Sequence, residues 1–126
     1  MSYDIEKRRC RRFVIPGAAV KYKKTGLLSF GKGFSGPYSV ENVSKGGLSF
    51  VCDKKLSRGK TLELQLLTPN EEPLLLKSVV RVRRPVKDTN NKIIGIEFMP
   101  FGSRRGWNSQ ETLDGLRMLD KKYGGD

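Results

Sequence analysis

Residues 38–50 read YSVENVSKGGLSF and predict two β-strands joined by a short turn. Tyr38 and Val40 alternate with polar neighbours, and Leu48 and Phe50 resume the alternation after the turn. The residues between them, 42–47, have the form N-x-S-x-x-G. Asn and Ser side chains bond neighbouring backbone, and Gly adopts conformations closed to other residues. The stretch therefore predicts a hairpin with an ordered turn.

Further strands are predicted on both sides of this hairpin. Residues 18–23 alternate apolar and polar side chains, 61–67 carry three leucines at every second position, and 74–86 form the longest candidate, which a turn connects to 92–99. Residues 24–37 hold four glycines and predict a long loop or a flexible hairpin tip. Six short strands separated by turn signals predict an all-β fold, either a barrel or a sandwich.

The C-terminal part changes character and predicts a helix. Asn108 is a helix-capping residue type, and Glu111 follows it three positions later. Leucines at 113, 116 and 119 and Tyr123 then recur every three or four residues, which makes one apolar stripe. We expect this helix to cover one opening of the barrel; the alternative is a dimerising or partner-binding role.

The charge of the chain indicates an anionic partner. The 126 residues suit one domain, and the formal net charge is +12, of which residues 1–35 contribute +7. A small polyphosphate, nucleic acid or an acidic protein would satisfy this field. No apolar run is long enough to cross a membrane and the N-terminus has no apolar signal region, so we expect a cytoplasmic protein with no membrane insertion.

The composition offers little for catalysis. The chain has no histidine, which excludes Ser-His-Asp and Cys-His arrangements and imidazole metal sites. Cys10 and Cys52 are isolated, without the C-x-x-C spacing of a metal or redox site, so we expect inert thiols. The sequence therefore predicts a binding protein and not an enzyme, with no catalytic residues, no metal and no cofactor.

A second motif precedes the first strand. Arg8 and Arg12 form R-x-x-x-R. Together with the N-x-S-x-x-G turn and the strand Ile94-Gly95-Ile96-Glu97-Phe98, this makes residues 6–101 resemble the PilZ family. The resemblance implies a six-stranded antiparallel β-barrel with a C-terminal α-helix. It divides the chain into a flexible basic arm (1–12), the barrel (13–101), and a linker and helix (102–126).

In that family the two motifs form the receptor site for cyclic di-GMP. The resemblance implies that Arg8 and Arg12 bind the dinucleotide, because a guanidinium engages phosphate or guanine in bidentate fashion, and Arg9 and Arg11 could share or replace this role. Asn42 would bond a guanine edge, although many family members have Asp there and an amide is the weaker acceptor. Ser44 would support the phosphate or hold the turn, and Gly47 would let the backbone approach closely.

Three functions compete. The first is a cyclic di-GMP receptor whose arm orders on binding and presents a surface to a downstream protein effector. The second is a basic nucleic-acid-binding barrel, which we consider less suited to this sequence. The third is a PilZ-like protein adaptor that binds no ligand. The residues that support the second are Arg81, Arg83, Arg84, Arg104, Arg105, Tyr22, Phe34 and Tyr38.

Overall fold

Six antiparallel strands close into a β-barrel in the computed structural model of the protein, which describes residues 11–25 and 33–124. Within those residues the elements are β1 (Ala19–Lys24), β2 (Ser35–Val43), β3 (Gly47–Cys52), β4 (Thr61–Leu67), β5 (Leu74–Pro85), β6 (Lys92–Phe98) and a helix, α1 (Gln110–Tyr123). The strand order around the barrel is β1-β2-β3-β6-β5-β4. The predicted fold, an antiparallel six-stranded barrel with a C-terminal helix, is confirmed.

The alternation read from the sequence fills the barrel interior. In β4, Leu62, Leu64 and Leu66 are fully buried, while the residues between them are partly exposed. Phe50 on β3 and Ile94 on β6 are also fully buried in the same core. Burial of each such side chain stabilises the folded state by about 1.5–3 kcal/mol relative to leaving it in water. The apolar faces of the strands therefore hold the barrel together.

Strand β2 begins earlier than the sequence predicts. The expected loop or hairpin tip over 24–37 is too long at both ends, because β1 extends to Lys24 and β2 starts at Ser35, which pairs with Tyr22 of β1. Gly36 permits this start: its φ is +123°, and a Cβ atom there would lie 2.9 Å from the carbonyl oxygen of Val20. Residues 26–32 of the predicted loop lie outside the described residues.

The linker before α1 is attached to the barrel by one buried side chain. Asn108 is not the helix cap that its spacing to Glu111 suggests; the cap is Ser109, whose Oγ accepts a hydrogen bond from the Thr112 N–H. Asn108 instead accepts from the Lys77 N–H at 2.6 Å and donates to the carbonyl oxygens of Lys77 (3.0 Å) and Met99 (2.9 Å). The side-chain amide of Asn108 therefore pairs with the backbone of Lys77 as the peptide group of a neighbouring strand would.

Helix α1 packs on the end of the barrel where β5 begins. Leu116 and Leu119 are buried in the common core, and Gly115 lies against Leu74 at the start of β5. Lys122 donates to Glu71 in the β4–β5 turn at 2.9 Å. Across the described residues, no helix combines the length and the hydrophobicity needed to span a bilayer. The stripe predicted from the sequence thus serves mainly to seat the helix on the barrel.

Candidate functional site

A cleft with a volume of about 290 Å³ runs along the outer face of the barrel. It lies over β3, β6 and β5 and is bounded by the end of β2, by the turn that follows it, and by Arg12. The residues that line it are Arg12, Glu41, Asn42, Ser44, Gly46, Gly47, Leu48, Ser49, Arg81, Val82, Arg84, Ile93, Gly95, Ile96 and Glu97.

A short backbone bridge brings Arg12 into this cleft. The N–H of Phe13 donates to the Val43 carbonyl at 2.8 Å, and the N–H of Val43 donates to the Phe13 carbonyl at 2.9 Å. Because the pairing is antiparallel, Arg12 lies opposite Ser44. Phe13 and Val43 are buried, so their exposed neighbour Arg12 stands on the outer face. The second arginine of R-x-x-x-R therefore lies beside the N-x-S-x-x-G turn.

Small side chains form the floor of the cleft. Asn42 pairs with Ser49, Ser49 pairs with Gly95 on the next strand, and Gly95 pairs with Val82. These residues make one row across the outer faces of four strands. Ser49 and Gly95 leave a shallow depression between Asn42 and Val82, and the apolar side chain of Ile93 also lines it. Such a floor accommodates a flat group laid across the strands.

Ser44 directs its hydroxyl to the turn itself. Its side chain is buried, and Oγ accepts hydrogen bonds from the N–H groups of Gly46 (3.1 Å) and Gly47 (3.2 Å). The hydroxyl also lies 3.4 Å from the Gly47 carbonyl, to which it donates. Of the two roles inferred from the sequence, holding the shape of the turn is the one these contacts support.

Replacing Ser44 with alanine is expected to lower the free energy of unfolding by about 1–2 kcal/mol, because the buried N–H of Gly47 and the partly buried N–H of Gly46 lose their acceptor. Urea denaturation of the purified variant would measure this loss. Ser39→Ala is the matched control, because Ser39 is exposed on β2 and has no recorded side-chain hydrogen bond among the described residues. An S44A protein as stable as S39A would contradict the turn-holding role.

Gly47 is required by the barrel. A Cβ atom on Gly47 would overlap the carbonyl oxygen of Ile96 on the neighbouring strand β6. The sequence suggested that this glycine lets backbone approach a ligand; the close neighbour in the fold is strand β6. The turn is further fixed to β6 by a hydrogen bond of 2.9 Å from the Phe98 N–H to the Gly46 carbonyl.

Two arginines and two glutamates in the cleft were not among the residues assigned to it from the sequence. Arg81 and Arg84 come from β5, Glu97 from β6 and Glu41 from β2. The Nε of Arg81 donates to Oε1 of Glu97 at 2.6 Å. The outward alternation of Glu97 in Ile94-Gly95-Ile96-Glu97 was visible in the sequence. The position of Arg81 was not, because a bulge between Val80 and Val82 changes its register.

The other residues of the arginine motif are placed only in part. Arg8 and Arg9 lie outside the described residues, as does Cys10. Arg11, which stands between the two motif positions Arg8 and Arg12, pairs with Asp120 near the end of α1, at 2.8 Å between Nη2 and Oδ1. The segment that carries R-x-x-x-R is thus tied both to β2 and to the helix.

The remaining cysteine is a core residue. Cys52 is buried at the end of β3, and its Sγ accepts from the Lys54 N–H at 3.1 Å. Burial raises the pKa of its thiol, which keeps the thiol protonated at neutral pH. Within the described parts of the chain, no group of three or more Cys, Asp or Glu side chains is arranged to hold a metal ion.

Comparison with known proteins identifies the fold family. The sequence model of the PilZ domain family matches residues 6–106, which is most of the chain. The chain belongs to the PilZ domain family. PilZ domains are receptor domains without catalytic function. The two motifs of this PilZ domain both fall inside the matched range.

A solved structure shares the architecture of this PilZ domain. The Bacillus subtilis inhibitor of motility (MotI/DgrA) superposes with a TM-score of 0.62 at 18% sequence identity, over 91% of this chain and 53% of that one. The chain therefore spans about half the length of that protein. At this identity the match shows the fold alone. No curated protein sequence matches the chain.

Proposed function

We propose that this PilZ domain binds cyclic di-GMP in the cleft on its outer face. The family generally binds this dinucleotide. The observation that carries the proposal is the Phe13–Val43 bridge, because it brings Arg12 beside Ser44, with Asn42 on the same edge of the cleft. Residues that are about thirty positions apart in the sequence thereby line one site, in the arrangement that the family's two motifs need.

The chemistry of the cleft suits the ligand. Cyclic di-GMP carries two anionic phosphates and two planar guanines. Arg12, Arg81 and Arg84 offer guanidinium groups that can donate to phosphate oxygens or to the O6 and N7 acceptors of guanine. The floor of Ser49 and Gly95 offers a flat surface for a base. The net charge of +12 attracts the ligand from a distance.

The basic arm completes the site in this proposal. Arg8 and Arg9 would close over the bound dinucleotide, and the ordered arm would present a new surface to a downstream protein partner. Ordering a segment on binding costs free energy, so the affinity is moderate and the response is reversible. Arg11, paired with Asp120, connects the arm to α1 and makes the helix part of the surface that responds.

Replacing both Arg8 and Arg12 with alanine is expected to weaken cyclic di-GMP binding by about 100-fold or more, because two charge-assisted contacts are lost. Calorimetric titration at two salt concentrations would measure this, with separate titrations of GTP and a short single-stranded DNA as control ligands. Arg104→Ala/Arg105→Ala is the matched control: it removes the same charge outside the cleft and is expected to bind like the parent.

Equal loss of affinity in both double variants would mean that overall charge, and not the motif, drives binding. A parent that gives no heat with the dinucleotide but binds DNA with strong salt dependence would support the nucleic-acid barrel. A parent that binds none of the three ligands would support the protein adaptor.

The aromatic residues give little support to nucleic-acid binding. Tyr22 and Tyr38 stack on each other with ring centroids 5.8 Å apart, and both also contact the ring of Phe50 in the core. Tyr22 is buried, and this burial raises its pKa to about 12. Only Phe34, of the three candidates, is exposed, and Lys23 lies over its ring. A stacking surface for single-stranded bases needs exposed rings.

A further inference from the structure

A carboxylate flanks the floor of the cleft at Glu97. On β6, Glu97 stands two residues after Gly95, and its partner on β3 is Gly47. Two residues of strand cover about 7 Å, so Glu97 lies beside the depression over Ser49 and Gly95. A planar base lying in that depression would turn one of its edges towards this side chain.

One oxygen of the Glu97 carboxylate is bound by Arg81, and the other can still accept a hydrogen bond. Its Oε1 accepts from Nε of Arg81 at 2.6 Å, and the Glu97 side chain is 34% exposed. Among the described residues Oε2 has no recorded partner. A charge-assisted contact of this length restricts the orientations of the carboxylate. Glu97 is thus a positioned acceptor that faces a partly open cleft.

The motif residue Asn42 cannot supply the same chemistry. The Watson–Crick edge of guanine presents two adjacent donors, N1–H and the N2 amine. An amide has a single acceptor oxygen, whereas a carboxylate has two oxygens and no donor. We infer that Glu97, held by Arg81, reads this edge of guanine and so takes over the acceptor role that an aspartate at position 42 would have. The inference rests on the proposed binding of cyclic di-GMP.

Glu41 is the other carboxylate of the cleft, and it is less suited to this role. It is exposed, it occupies the irregular position between Val40 and Asn42 where the β2–β3 register shifts, and no described residue forms an ion pair with it. A carboxylate that is free to rotate gives up more conformational entropy on binding than one already fixed. Glu97 is therefore the better candidate of the two, and a variant of Glu41 tests the alternative.

The consequence is selectivity for guanine over adenine. Adenine presents an acceptor, N1, where guanine presents the N1–H donor, so the carboxylate would face a lone pair and lose a hydrogen bond. A well-placed bidentate contact of this kind discriminates between bases by about 10- to 100-fold. Specificity of this kind comes from the repulsive contact with the wrong base as much as from the attractive one.

The test is a calorimetric titration of the parent, Glu97→Gln and Glu41→Gln with cyclic di-GMP and with cyclic di-AMP. We expect the parent to prefer the guanine ligand by about tenfold or more, and E97Q to lose most of that preference. Glu72→Gln, which changes an exposed carboxylate outside the cleft, is the control and is expected to keep the ratio of the parent. The thermal unfolding midpoint of E97Q should stay within about 4 °C of the parent, because the Arg81–Glu97 pair is at the surface.

A ligand-side change locates the contact on the base. Cyclic di-IMP, in which hypoxanthine replaces guanine, keeps N1–H but lacks the N2 amine. The loss of that amine is expected to lower the affinity of the parent about tenfold or more and that of E97Q much less. The effects of the ligand change and of the Glu97→Gln substitution would then be coupled. Such coupling identifies Glu97 as the acceptor of the amine.

The outcomes separate the inference from the function on which it rests. If the parent binds cyclic di-GMP and E97Q keeps the same preference for guanine, the inference is overturned while the proposed function stands. If E41Q alone loses the preference, the reading carboxylate is Glu41 and the inference is again overturned. A parent that binds neither dinucleotide overturns the proposed function and the inference together.

Discussion

Replacing Gly47 with alanine is expected to lower the free energy of unfolding by about 3 kcal/mol. The added Cβ atom would overlap the carbonyl oxygen of Ile96, so strands β3 and β6 would have to move apart along their hydrogen-bonded edge. Backbone on both sides of the contact is held in the closed barrel and cannot yield as a flexible side chain would. Urea denaturation, which gives both stability and the slope of the transition, would measure the loss.

Gly33→Ala is the matched control for Gly47→Ala. Among the described residues, no atom lies within 4 Å of a Cβ atom on Gly33, and its φ lies outside the left-handed region, so the change is expected to stay within about 0.5 kcal/mol. A G47A protein that is as stable as G33A would show that the β3–β6 spacing adjusts easily. If the large effect is observed, weak binding by G47A reports on folding and cannot be used as a test of ligand contact.

Replacing Asn108 with alanine is expected to destabilise the protein by about 3 kcal/mol. The side chain is 3% exposed and makes three hydrogen bonds to backbone groups of Lys77 and Met99. Its removal would take one hydrogen bond each from the Lys77 N–H and from the carbonyl oxygens of Lys77 and Met99, and it would release the linker from the barrel. Denaturant unfolding would measure the change, with Asn90→Ala in the exposed β5–β6 turn as the control.

Asn108→Asp separates hydrogen bonding from packing in the same position. The aspartate keeps the shape of the side chain and the acceptor for the Lys77 N–H, but it places a second oxygen against the carbonyl oxygens of Lys77 and Met99. We expect N108D to be at least as unstable as N108A at neutral pH. A stable N108D would mean that the contribution of Asn108 comes from its volume, not from its two donated hydrogen bonds.

The strands of the barrel could be predicted because their signal is local. Alternation in 61–67 and 92–99 reports which face is buried, and the bounds of β4 and β6 agree with it to within one residue. Asn108 shows where prediction from a local pattern fails. Its spacing to Glu111 favours a cap, but the competing use of its amide depends on Lys77 and Met99, which only the folded barrel brings near.

The candidate site likewise contains parts that could be predicted from local sequence and parts that could not. The N-x-S-x-x-G turn was found because its hydrogen bonds run between Ser44 and the two glycines beside it, all within four residues. The ion pair between Arg81 and Glu97 joins strands β5 and β6 next to a bulge. The spacing of these two residues in the sequence does not predict that they meet. The placement of Arg12 beside Ser44 likewise depends on a bridge between residues 13 and 43.

Under the proposed function, the ion pair between Arg11 and Asp120 would couple the C-terminal helix to ligand binding. Arg11 belongs to the segment that carries R-x-x-x-R, and Asp120 lies in the last turn of α1. If a bound dinucleotide repositions that segment, the pair changes, and the free energy of the change is shared by both ends of the chain. Binding equilibria are reciprocal: a protein that grips the end of α1 and alters dinucleotide affinity by some factor has its own affinity altered by the dinucleotide by that same factor. The partner of this domain would then act as an effector as well as a target, and the concentration of the partner would set how much second messenger the domain retains.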